Sequence, residues 1–164
     1  MFNLKRIARE AIPRSLEKAE RYRLLNEPGQ AESICLDILQ VEPDNQQALI
    51  TLLLAITDQF DEGASINKAK ELLSHLQGEY EKAYYAGIIS ERRAKALLKT
   101  GNPGSKPIAY DWLQDAMSCY EKAEKIHPAE NEDAVLRWNT CARIINNNPD
   151  LIPKPEERYE LPLE

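Results

Sequence analysis

The chain is poor in the residues that carry covalent or metal chemistry. It has two histidines, His75 and His127. Neither has a second His or Cys at ligand spacing, which argues against a zinc site. Glycine is scarce, and the one close pair, Gly101 and Gly104, sits outside the strand-to-helix setting of a phosphate loop. There are three cysteines, Cys35, Cys119 and Cys141. The odd count, with no uninterrupted apolar stretch in the opening MFNLKRIAREAIP, predicts reduced thiols and a cytoplasmic protein. Long hydrophobic runs are missing too. The densest, Ala48 to Ile56, falls far short of the roughly 20 residues a spanning helix needs, so no membrane span is expected. Positive charge is also short. A net charge of −6 excludes a general nucleic-acid binder, which needs a basic surface. No catalytic residue, metal or cofactor is therefore expected, and the chain does not read as an enzyme.

What is present is ordinary globular material, 43% apolar and 29% charged, in a length that fits one domain. The charge is uneven. Residues 1–23 carry seven basic and three acidic residues, a balance of +4, which leaves −10 for the rest of the chain. This stretch reads as a solvated helix face with i,i+4 pairs such as Glu17–Arg21.

Apolar residues recur at intervals of three and four along almost the whole chain, the period of an amphipathic helix. Residues 1–11 predict a short basic helical lead. Ile12, Leu16, Ala19, Tyr22 and Leu25 mark one helix face, and Ala31, Ile34, Cys35, Ile38 and Leu39 the next. Residues 46–60 are apolar on nearly all sides and must be covered all round. Ile66 to Leu76 and a long stretch from Glu79 to Lys99 follow. The loop at 100–109 holds two glycines and two prolines and is expected to be the most mobile internal piece. Helices around Trp112–Ala123 and Ala134–Ile145 complete the domain, 12–148. The Pro-rich acidic tail, 149–164, has no period and predicts extended or disordered chain.

Two distant segments share a pattern: a small residue, a second residue four later and a Pro twelve later. Ala31, Cys35 and Pro43 make the first, and Ala116, Tyr120 and Pro128 the second. With Ala19 and Tyr22 on the preceding helix, this pattern resembles the tetratricopeptide repeat family, whose unit is a helix–turn–helix of 34 residues. Ala69 takes the matching place in a middle unit that lacks the closing Pro. The resemblance implies an all-α fold: a right-handed stack of antiparallel helical hairpins, with three units and a capping helix. It also implies a protein–protein interaction module, an adaptor or scaffold that holds a partner peptide or helix in a concave groove. The groove positions implied are Pro13, Leu16, Glu20 and Arg23 on one helix and Gln47, Ile50, Leu54 and Thr57 on another.

Among those positions Arg23 is the only cation, and Glu20 lies one turn away to neutralise it. The expected ligand is accordingly apolar, with weak or no binding of acidic tails. The chain's own Tyr159–Leu163 is one candidate filler. The alternative is a structural or self-assembling subunit, in which the all-round apolar helix 46–60 completes a homo-oligomer or larger complex.

Overall fold

A computed structural model of the chain describes residues 1–155. Among them are seven α-helices and no strand: α1 Ile12–Leu24, α2 Pro28–Val41, α3 Gln46–Thr57, α4 Ile66–Leu73, α5 Glu79–Thr100, α6 Ser105–Ile126 and α7 Asp133–Asn147. Local chemistry sets the boundaries. Pro13 and Pro28 stand in the first turns of α1 and α2, where a missing N–H costs nothing. The Asn45 side chain caps α3 by accepting from the Ala48 N–H at 2.9 Å, and Ser65 caps α4 by accepting from Lys68 at 3.3 Å. Gly101 closes α5 in the left-handed conformation, at φ 63°.

Each helix packs on its neighbours in sequence, and α1 also touches α3, and α3 touches α5. The core follows this order in three clusters. Ile12, Leu16, Ile38, Val41 and Ala48 join α1, α2 and α3. Ala19, Cys35, Leu53, Phe60, Ala69 and Ile89 continue into α4 and α5. Ile88, Leu113, Ala116, Tyr120, Ala134 and Cys141 bind α5, α6 and α7. The repeat-pattern residues Ala19, Ala31, Cys35, Ala69, Ala116 and Tyr120 are all 0% exposed. The apolar helix 46–60 is satisfied within the chain: α3 buries Leu49, Leu52, Leu53 and Ile56 against its neighbours, so it offers no all-round apolar surface to a second copy.

Three expectations need correction. Residues 1–8 are not helical and 9–11 form only a 3₁₀ turn, so the basic lead is an arm that touches the first cluster through Ile7. The loop at 100–109 shrinks to the four residues between Thr100 and Ser105. Pro107 is tolerated in the first turn of α6 because the N–H groups there have no intrahelical acceptor. The flanking helices α5 and α6 are each 22 residues long. The tail is also ordered at its start: Pro149–Leu151 forms a 3₁₀ turn, Leu151 is 2% exposed, and Asp150 pairs with Lys106. Tyr159–Leu163 lies outside the described residues.

α5 and α6 pack closely because of one glycine. A Cβ on Gly87 would lie 2.5 Å from the Tyr120 ring. Tyr120 thus fills the space a side chain at position 87 would take, and its hydroxyl reaches Glu91 on the next turn of α5.

Candidate protein-binding face

The odd-numbered helices α1, α3 and α5 lie side by side. Arg137 of α7 pairs with Glu91 of α5 at 3.0 Å. Polar side chains cross from helix to helix along this face. Gln47 Nε2 of α3 donates to Glu20 of α1 at 2.9 Å. Arg23 of α1 donates to Asp58, just past the end of α3, at 2.6 Å. Arg92 of α5 pairs with the other oxygen of Asp58 and donates to Thr57 Oγ1 at 3.2 Å. Farther along, Lys99 pairs with Asp61 at 2.5 Å.

These bonds place the positions implied by the repeat. Glu20 and Gln47 come together on the exposed rim. Arg23 and Thr57 meet around Asp58 and Arg92. Leu16 is 8% exposed and belongs to the first cluster, with its edge lining a hollow shared with Arg9, Pro13, Glu42 and Gln47. Ile50 is half-buried. Leu54 is half-buried as well and packs, with Tyr85, between the second and third clusters, so it is partly a core residue. Glu20 does not neutralise Arg23: it is taken by Gln47, and Arg23 turns to a carboxylate 35 residues away.

The sequence reading missed Asp58, Glu91, Arg92, Lys95 and Arg137. Glu91 is fully buried. Its carboxylate accepts from Lys95 at 2.9 Å and Arg137 at 3.0 Å, from the Tyr120 hydroxyl at 3.3 Å, and from the Cys141 thiol at 3.5 Å. The basic run at the end of α5 complements the helix dipole. Its spacing held a second signal. Arg92, Lys95 and Lys99 fall at i, i+3 and i+7, one stripe of a helix. The three line one hollow together with Asp58 and Asp61.

Protonation follows from these surroundings. Burial pulls the Arg92 guanidinium down, Asp58 opposes this, and Arg23 and Arg137 push in the same direction as burial. At Arg137 burial also works against the charge, but Glu91 and Tyr84 outweigh it and the net shift is upward. Burial, with Glu91 adding to it, pushes the Cys141 thiol up to about 12, and burial with Glu20 and Glu32 does the same at Cys35. Such thiols stay protonated and are poor nucleophiles. Tyr120 is raised by burial and by Glu91, so it remains a donor to that carboxylate.

Among the described residues no group of three or more His, Cys, Asp or Glu side chains is placed to hold a metal ion. No helix there is long and apolar enough to cross a membrane. No protein-family model, curated protein or solved structure matches the chain.

Proposed function

We propose that this chain is a protein-interaction module: a stack of tetratricopeptide-like hairpins, right-handed and of about three units with a capping helix, that holds a partner peptide or helix on the face made by α1, α3, α5 and α7. The observation that carries this reading is the line of cross-helix bonds on that face, from Gln47–Glu20 to Arg23–Asp58–Arg92. Side chains held in this way lose little freedom when a ligand arrives, so the surface is preorganised for binding. Repeat stacks offer extended surfaces of this kind, and peptides or amphipathic helices suit them. The burial of every repeat-pattern alanine fits a scaffold whose core is committed to packing and whose specificity lies on its face. The three free thiols suit a reducing compartment such as the cytoplasm.

Capture of partners from the native source tests the proposal. The wild-type protein is compared with Gln47→Arg and with Ile50→Asp, and melting is recorded for each. At least one protein should be retained by the wild type and lost from both variants while their melting temperatures stay near the wild-type value. Identical capture by all three, or no capture at all, would overturn the reading.

A further inference from the structure

We infer that the hollow between the end of α3 and α5 takes an acidic segment of a partner protein, with carboxylates at alternate positions of an extended chain. This rests on the binding-module reading and names the chemistry of the partner.

The charges around the hollow do not balance. Asp58 is shared by Arg23 and Arg92, and Glu91 by Lys95 and Arg137. Lys99 holds Asp61. The hollow itself is lined by three cations, Arg92, Lys95 and Lys99, and two carboxylates, Asp58 and Asp61, an excess of one positive charge within a chain whose net charge is −6. A local excess of one sign in a partly enclosed hollow focuses the field on ligands of the opposite sign. Burial works against the Arg92 charge, and after the pull of Asp58 the charges of Arg23 and Arg137 add to that opposition. A further carboxylate would relieve that repulsion, and a guanidinium fork suits one.

The cations are within a ligand's reach. Lys95 is 42% exposed and Lys99 is 73% exposed, and Arg23 and Arg92 each keep about a fifth of their side-chain surface open. The spacing also fits. Side chains at i and i+3 on a helix are about 5–6 Å apart, the relation of Arg92 to Lys95. Alternate side chains of an extended strand repeat at about 6.6–6.8 Å, so successive outward carboxylates of such a strand can meet successive cations. The expectation of a purely apolar ligand considered only the first two inner helices. α5 and α7 supply the cations that change it.

The test is a binding titration on the full-length protein. The probe is a fluorescent peptide of alternating Glu and Ser, with alternating Gln and Ser as the control. The acidic peptide should bind and the neutral one should not, and affinity should fall about tenfold or more between low and high salt, as screening requires. Lys99→Glu, at a side chain 73% exposed and outside the Glu91 cluster, should weaken binding about tenfold or more, since the reversed charge acts on the ligand directly. Lys95 and Arg137 stay on Glu91 in that variant, and a melting temperature near the wild-type value shows that the fold is intact. Lys122→Gln, at an exposed site on α6, should bind as the wild type does. Equal binding of both peptides, or full affinity in the Lys99→Glu variant, would overturn the inference. So would binding seen only when Glu156, Glu157, Glu160 and Glu164 are all replaced by Gln, because the occupant would then be the chain's own C-terminal segment. No acidic-peptide binding, with face-dependent partner capture intact, sinks the charge assignment and leaves the module reading standing. Loss of both sinks both.

Discussion

Asp58 and Glu91 each hold two cations, yet they differ in what surrounds them. The Asp58 side chain keeps 21% of its surface open and is met by Arg23 and Arg92 from two other helices. Glu91 keeps none, and a tyrosine hydroxyl and a thiol complete its shell. Removing the partner of a buried charge costs far more than breaking a pair that water can reach. Glu91 therefore fixes how α5, α6 and α7 fit together. Asp58 ties α1, α3 and α5 together while leaving about a fifth of the Arg23 and Arg92 side chains open to solvent.

The largest expected effect is at the sealed cluster. Glu91→Ala leaves the buried Tyr120 hydroxyl without its acceptor, unties Arg137 from α5 and opens a hole in the core, and should destabilise the fold by about 3–5 kcal/mol. Urea unfolding would measure it. Glu91→Gln, which keeps the shape and can accept from Tyr120, should recover part of the loss. A cost below about 1 kcal/mol for the Ala variant would place Glu91 among exposed pairs and erase the contrast.

Gly87→Ala comes next. Its new Cβ would lie 2.5 Å from the Tyr120 ring, so the ring must move, and its bond to Glu91 moves with it. Overpacking of this kind costs about 1–3 kcal/mol, and the helix-propensity gain of about 1 kcal/mol for Gly to Ala offsets part of that. A more stable Gly87→Ala protein would show that α5 and α6 are not held at the described distance.

Asp58→Asn should cost about 1–2 kcal/mol, between the buried and the exposed cases. Salt separates the two sites. High salt should shrink the Asp58 penalty, because water and ions reach it, and leave the Glu91 penalty nearly unchanged. Equal salt responses would contradict the comparison.

The smallest effects lie outside both clusters. Lys106→Gln removes a pair with Asp150 in which both side chains are more than half exposed, and it should change stability by no more than about 0.5 kcal/mol. Among the thiols, Cys119 is partly exposed while Cys35 and Cys141 are buried with values near 12. Cys119 should react first with a maleimide, and the other two should stay slow through pH 9. Equal rapid labelling of all three would refute the burial.

The contrast between the two carboxylates also marks where sequence reading stopped. Helix positions were legible because their cause is local: Ile12, Leu16 and Ala19, and then Ala31, Ile34 and Cys35, recur three and four apart on one face. The core faces were legible because Ala31, Cys35, Ala116 and Tyr120 repeat a spacing. Glu91 was not, since it stands in a charged run and has Lys95 one turn away, the pattern of a solvated face. Its burial depends on Tyr120 and Arg137, on helices far along the chain. Arg23 misled for the same reason, with a nearby Glu20 in sequence and Asp58 in space. The loop at 100–109 misled because two prolines look like a break, although Pro107 suits a first helical turn.

Site-specific photo-crosslinking in the native source tests the face most directly. A crosslinking residue placed at Gln47, on the odd-helix face, is compared with one at Ser118, exposed on α6. A discrete adduct to another protein from position 47, absent from position 118, is the expected result. Adducts from position 118 alone, or the same adducts from both positions, would contradict the placement of binding on the face of α1, α3, α5 and α7.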